Sequence, residues 1–259
     1  MTGTELLTRH TEDIRSVYAE AFAQPPWNEA PAEADHYLKR LADDASRPGF
    51  TAAVALDGGE HAPGGGRSPR FVGDDAARPG FTAAVALDGG GHAPGADRPS
   101  HLIADDASRP ELTAALALGG GAPASGADRP SRLIGFATAW TTATPLPDTR
   151  SYPLVTAALG ARAHDWLGGS LQVDELAVRP DAHGLGVGRA LLAAVTRDAP
   201  DGRCWLLTGA RATDAVRFYR RVGWHQIAHP APDSRDVAVF LGPEHPARAE
   251  AGRWRSSRR

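Results

Sequence analysis

Residues 171–195 read LQVDELAVRPDAHGLGVGRALLAAV, and the reading of this stretch decides the fold. Leu171 to Val178 is a short apolar-rich run, with Val173, Leu176 and Val178, that suits a strand. Pro180 has no N–H to give a sheet ladder, so the strand ends before it. HGLGVGR, His183 to Arg189, follows. Its glycines Gly184, Gly186 and Gly188 leave the backbone free to approach a ligand. Arg189 to Asp198 reads as a helix built on Ala190, Leu191, Leu192, Ala193, Ala194 and Val195. Glycines just ahead of a helix expose its first unpaired N–H groups at the positive end of its dipole, a place suited to a phosphate.

Two common phosphate loops fail on spacing. A dinucleotide loop, G-x-G-x-x-G, needs its third glycine where Arg189 stands, and a Walker A loop needs a lysine, whereas Lys39 is the only lysine in the chain. A second motif lies downstream. Ala215 to Trp224 reads AVRFYRRVGW, with Ala215, Phe218 and Val222 spaced along one helix face and Gly223 suited to the position past the helix end.

Both motifs resemble the GNAT family of acetyl-CoA-dependent N-acetyltransferases. The first resembles [Q/R]-x-x-G-x-[G/A], carried by His183, Gly186 and Gly188; the second is similar to A-x-x-F-Y-x-x-x-G-[FW]. The chain departs from the pattern in two places: His183 takes the Arg/Gln slot, and Ala212 stands where the family often carries an asparagine that helps hold the pantetheine arm. That contact is then absent or falls to Thr213 or Asp214.

The resemblance implies an α/β fold, a mixed and mostly antiparallel central sheet flanked by helices. It implies acetyl-CoA as co-substrate, with the strand end (Leu176, Ala177, Val178) holding the acetyl and pantetheine portions. The loop residues His183, Gly184, Leu185, Gly186, Val187, Gly188 and Arg189 would cradle the pyrophosphate. It further implies that a strand over Arg203 to Thr208 runs parallel to 171–178 and splays from it to admit the pantetheine arm. Tyr219 would sit beside the coenzyme sulfur. The plainer readings are a glycine turn with no ligand and a Tyr219 that is a core aromatic.

Amide formation from a thioester needs a base for the ammonium, a donor for the oxyanion and a proton for the leaving thiolate. A backbone N–H around Ala177 or Val178 would be the donor. Tyr219 suits the thiolate, because a tyrosine pKa of ~10 is close to that of an alkyl thiol. Asp174 and Glu175 are the candidate bases. Strand alternation lets only one face the acceptor, although family strands often bulge here, and either carboxylate would otherwise be structural or solvated. His164 and Glu12 are weaker candidates. Trp27, Trp140, Tyr152 and Trp166 would line an aromatic acceptor pocket or belong to the core. The expected acceptor is a primary amine of a small molecule or a protein. The alternatives are a non-catalytic acyl-CoA-binding module and a repeat-based interaction protein.

The rest of the chain sets bounds. It has 259 residues, 42% hydrophobic and 23% charged, with net charge −3, so no attraction to nucleic acid is expected. Cys204, the one cysteine, cannot form an intramolecular disulfide and fits a reducing compartment. No apolar run suits a membrane span, and the N-terminus lacks a secretory pattern, so a cytoplasmic protein is expected, without a metal. A homodimer stays open.

Helices are expected over residues 8–23, 32–42 and 152–166, with any strand before the first confined to residues 4–8. Between the second and third lie three 31-residue copies of one unit, 43–73, 74–104 and 105–135, sharing the core DDASRPGFTAAVALDGG with few changes. Each offers a strand candidate: Thr51 to Leu56, Thr82 to Leu87 and Thr113 to Leu118. The expected domain is 1–245 with two copies as insertions. Copy three, nearest in sequence, is expected to form the hairpin with Arg132 to Thr142. His225 to Ala228 and Asp236 to Leu241 read as a closing strand pair. Residues 246–259, with five arginines against Glu250, are expected to be a disordered basic tail.

Overall fold

The computed structural model describes residues 7–57, 81–87, 132–228 and 237–256. Two helices open the chain, α1 (Thr11–Phe22) and α2 (Ala32–Asp44). The strands β1 (Thr51–Asp57), β2 (Phe81–Leu87) and β3 (Leu133–Thr141) follow, then α3 (Tyr152–Leu159) and α4 (Arg162–Leu167). β4 (Leu171–Val178), α5 (Val187–Thr196), β5 (Cys204–Gly209) and α6 (Thr213–Arg221) form the central unit. β6 (His225–Ala228), β7 (Val237–Leu241) and α7 (Arg248–Ser256) complete it. The single helix expected over 152–166 is two, parted at Gly160, and residues 7–9 are helical rather than part of an opening strand.

The sheet runs β2-β1-β3-β4-β5-β7-β6, and only the β4–β5 pair is parallel. This is the expected mixed, mostly antiparallel α/β sheet. Helices cover both faces, which is why β3, LIGFATAWT, is buried from Leu133 to Trp140 without alternating. One face packs on α5 and α6 through Val173, Leu191, Val195, Leu206, Tyr219 and Phe240. The other face carries two helix groups. Ile14, Val17 and Tyr37 from α1 and α2 sit over Val54, Phe136 and Trp140. Val155, Leu159 and Trp166 from α3 and α4 sit over Trp205, Val239 and Leu241. The seam between these groups lies above the junction of β4 and β5.

The structure corrects two expectations. Copy one, not copy three, pairs with β3: Thr51 opposes Ala139 and Val54 opposes Phe136, while β4 takes the other edge of β3. Copy two supplies the edge strand β2, antiparallel to β1. The strand candidate of copy three lies outside the described residues. The reason is local. Gly49 enters β1 with φ +67°, and a Cβ there would lie 2.2 Å from Thr141 Oγ1. Copy three has Glu111 at the equivalent position, and a left-handed backbone with that clash rejects any side chain. Phe50, 1% exposed, is Leu112 in copy three. Loop length did not decide the matter, because closing a longer loop costs only ~0.6 kcal/mol per doubling.

The second correction concerns the tail, which is ordered as α7. Ala251 is fully buried, Trp254 meets Trp166 edge-on at 5.7 Å, and Arg162 lies over Trp254 at 5.6 Å. His245 anchors the turn before it: its Nδ1 accepts the Ala247 N–H at 3.1 Å, so its Nε2–H donates to Trp166 O at 2.9 Å. Burial lowers the His245 pKa to about 4, which keeps the ring in this neutral form.

The copy-one assignment makes deletions unequal. Removing 74–135 keeps Gly49 and Phe50 and restores the start of β3 from the end of copy one. That protein should melt within a few degrees of the full chain. Removing 43–104 puts Glu111 and Leu112 in their places and should lower Tm well beyond that, with Glu111→Gly and Leu112→Phe restoring it. Equal melting curves for the two deletions would overturn the assignment.

Candidate active site

β4 and β5 pair only from Leu171, Gln172 and Val173 to Cys204, Trp205 and Leu206. Both strands continue, to Val178 and Gly209, but apart. The Arg179 N–H donates to Ile134 O at 2.9 Å, so by strand alternation the Ala177 N–H also points at β3. The N–H groups of Leu176 and Val178 therefore face the gap. Of the two expected oxyanion donors, Val178 is the one the strand aims there.

The β3–β4 register shifts between Thr138 and Ala139: Thr138 opposes Glu175, and Ala139 opposes Val173. Asp174 is the extra residue, a β-bulge. The bulge moves parity by one. Leu171 and Val173 lie on the α5 face before it, Leu176 and Val178 after it. Gln172, Asp174 and Glu175 all open on the opposite face, into one pit. The expectation that only one carboxylate faces the acceptor side is thus corrected.

The pit sits at the seam between the two helix groups and has a volume of about 280 Å³. Gln172, Asp174 and Glu175 form its floor, Leu207 and Tyr152 its far wall, and Arg40 and Arg150 its cationic side. The Tyr152 hydroxyl donates to Gln172 Oε1 at 2.6 Å. Burial, opposed by Arg150, raises the Asp174 pKa to about 6, though its side chain keeps 24% exposure at the pit floor. Burial first, then the Asp174 charge, holds the Glu175 carboxyl well above the usual carboxylate range. Burial thus raises both carboxyls, and Asp174, at about 6, is ionised at neutral pH.

Tyr219 lies in the core on the α5 face, against Trp224 and Phe240. Trp224 N–H donates back to Tyr219 O at 2.9 Å across the helix end, which sets its backbone. Burial and the nearby Glu175 raise its pKa, so the hydroxyl keeps its proton at neutral pH. That Glu175 acts on Tyr219 from one face and on Tyr18 and Tyr37 from the other places it at the gap.

The glycine loop closes the far end of β4. His183 Nε2 lies 3.1 Å from Val178 O and donates to it, folding the loop onto the strand. Ala182 and Val187 are buried and Leu185 packs against the same core, which fixes the loop from below. Gly184 (φ +77°) and Gly186 (φ +83°) have open space where a Cβ would stand. The first bond into α5 is Ala190 N–H to Gly186 O at 3.0 Å, so Val187, Gly188 and Arg189 present unpaired N–H groups. A Cβ on Gly188 would be 3.4 Å from Phe218 Cζ, so this glycine also lets α5 and α6 approach. Arg189 is exposed on the first turn. Backbone donors, a positive dipole end and an open surface together fit a pyrophosphate.

Other candidates fall elsewhere. His164 is exposed and accepts the Leu146 N–H at 3.4 Å, and Glu12 is exposed on α1. Trp166 is core beneath α7, and Asp214 pairs with Arg217 on the surface. Trp27 stands against Gly209 at the open end of β5: a Cβ there would lie 3.1 Å from Trp27 Cζ3. Trp140 is buried under the guanidinium groups of Arg47 (4.8 Å) and Arg150 (5.1 Å). Sequence reasoning missed Arg40, Asp44, Arg47, Arg150 and Gln172, which carry no motif.

Residues 153–226 match the family model for an acetyltransferase (GNAT) domain. The match starts in α3 and ends in β6, so the matched segment holds the bulge, the gap, the glycine loop and Tyr219. No curated protein matches the chain in sequence. Among solved structures it is similar to PH1933 from Pyrococcus horikoshii OT3, at 11% identity and TM-score 0.42 over 89% of this chain and 88% of that one. It is similar to Arabidopsis thaliana NAA60 in complex with acetyl-CoA, at 19% identity and TM-score 0.29 over 42% and 65%. The ribosomal-protein-S18-alanine N-acetyltransferase from Escherichia coli follows, at 19% identity and TM-score 0.26 over 45% and 65%. TM-scores this low carry no argument about function. Among the described residues no helix is long and apolar enough to cross a membrane, and no group of three or more His, Cys, Asp or Glu gathers as a metal site.

The raised Asp174 pKa has a sign for stability. The folded state holds the proton more tightly than the unfolded chain, so this stabilisation is complete below about pH 4 and is lost as pH rises through about 6. Asp174→Asn should therefore raise Tm at pH 8 by about 5 °C, on the order of 2 kcal/mol, and change it little at pH 4. Scanning calorimetry at both pH values decides; a lower Tm at pH 8 would contradict the assignment.

Proposed function

We propose that this chain transfers an acetyl group from acetyl-CoA to a primary amine by direct attack. One observation carries the reading. The β4–β5 gap, the pyrophosphate-ready start of α5 and two adjacent carboxyls lining one pit converge at the C-terminal half of β4. Each occurs alone in many proteins. Their convergence gives a nucleotide thioester a bed on one side of the gap and an amine a pit on the other.

Gly184, Gly186 and the N–H groups of Val187, Gly188 and Arg189 would hold the pyrophosphate, and Leu176 to Val178 the pantetheine and acetyl portions. His183 shapes the loop from the family's Arg/Gln slot by bonding the strand rather than through a charge. Acetyl-CoA supplies the acyl group as an activated thioester. Asp174, ionised above about pH 6, takes the ammonium proton. Glu175, raised by burial and by the Asp174 charge, would donate a hydrogen bond in its protonated form. The Val178 N–H meets the oxyanion. Tyr219 would donate a proton to the departing thiolate, with burial raising its pKa away from the match to an alkyl thiol that a free tyrosine offers.

The test is thiol release from acetyl-CoA with a panel of small amines and peptides. Gly186→Glu puts a carboxylate and a strained backbone where the pyrophosphate lies and should abolish acetyl-CoA binding by calorimetry while the fold persists. Tyr219→Phe should bind acetyl-CoA near normally and lose about 10²-fold in kcat. Asp174→Asn should flatten the acidic limb of the pH–rate profile, whereas Glu175→Gln should keep that limb. Acetyl-CoA binding without turnover on any amine would favour the non-catalytic acyl-CoA-binding module.

A further inference from the structure

Behind the pit floor lies a charge network that no motif announces. Asp44 ends α2 with only 3% exposure. Its Oδ1 accepts Arg47 Nε at 2.6 Å and its Oδ2 accepts Arg150 Nη2 at 2.7 Å. The other Arg150 terminal nitrogen, Nη1, lies 3.6 Å from Asp174 Oδ1. Both guanidinium groups lie over the buried ring of Trp140, which confines them. Arg150 has a left-handed backbone (φ 55°), uncommon for a side chain that branches into such contacts. It immediately precedes Ser151 and α3, whose Tyr152 bonds Gln172 on the pit floor.

We propose that Arg150 is the positioning residue of this site: clamped between Asp44 and Trp140, it holds its second nitrogen against Asp174 and thereby sets the pH at which that carboxylate becomes a base. This rests on the acetyltransferase reading and adds regulation of its base. The groups facing Asp174 divide by sign. Arg150 from the α3 entry, Arg40 from α2 and Arg47 beyond its end favour the carboxylate. Asp44 from α2 opposes it, as does burial, and Glu175 on its own strand adds a like charge only when ionised. Tyr37 on α2 and Tyr152 on α3 also face it, both held neutral by burial. Arg150 is the closest cation, and Asp44 acts twice, as a repelling charge and as the anchor of Arg150.

Two substitutions at Arg150 separate its charge from its bulk. Arg150→Met removes the nearest cation, so Asp174 binds its proton more tightly and the acidic limb of the kcat/KM profile moves up by about one pH unit or more. The variant then loses about threefold or more at pH 6.5, and the deficit shrinks toward pH 8.5. Arg150→Lys keeps the cation and most of the limb position. A purely structural Arg150 would lower the rate equally at every pH.

The decisive readout is a carbon-13 titration of the Asp174 carboxyl in the whole protein, assigned by its loss in Asp174→Asn. It reports the base with or without turnover. An Asp174 midpoint that rises in Arg150→Met and stays in place in Arg150→Lys supports the proposal even if no amine is acetylated. An unmoved midpoint in Arg150→Met overturns it even if the protein proves an acetyltransferase.

Discussion

β4 can keep β5 as a hydrogen-bonded neighbour for only three residues, and the site depends on that constraint. Beyond Val173 and Leu206 the two parallel strands separate, and the backbone of β4 on that side has no ladder partner. A buried strand with unpaired N–H groups is costly unless something accepts from them. In the proposed reading a thioester does so. The sheet tolerates the gap because β4 remains fully paired with β3 and β5 with β7 along their other edges.

The bulge at Asp174 works with the gap. A regular strand would send one of two adjacent carboxylates into the apolar core against α5. The extra residue turns both toward the pit and returns Leu176 and Val178 to the core face. Burial then raises both carboxyls, and the charges around them separate the pair. Asp174 has Arg150 at 3.6 Å; Glu175 has Asp174 as its nearest strong influence after burial. Both groups thereby hold their protons more tightly than free carboxyls do.

The split of the outer helical layer has the same centre. α1 and α2 cover one half of the sheet, and α3, α4 and α7 the other, leaving the pit at their seam. Asp44, Arg47 and Arg150 tie the halves together across it, from a helix end to a loop 106 residues away. Removing Asp44 would leave two part-exposed guanidinium groups without their shared carboxylate and the two halves without this tie. α7 and His245 brace the second half from outside, so the arginine-rich end of the chain is structural up to Ser256.

The sequence by itself determined the parts whose physics is local. Strand, glycine loop and helix could be read from 171–195, because Pro180 stops a ladder and glycines permit the positive φ that Gly184 and Gly186 adopt. AVRFYRRVGW read as a helix with Ala215, Phe218 and Val222 along one face by periodicity, and the place of Tyr219 came from the resemblance. Only the tertiary structure decided among things that local sequence leaves equal. Of three nearly identical strand candidates, the contact of Gly49 with Thr141 excludes Glu111 of copy three, and folding sets copies one and two side by side as β1 and β2. The bulge is a relation between β3 and β4, so no property of Asp174 or Glu175 alone discloses their shared face. Arg150 meets Asp44 across 106 residues, a pairing created by folding and by no pattern along the chain.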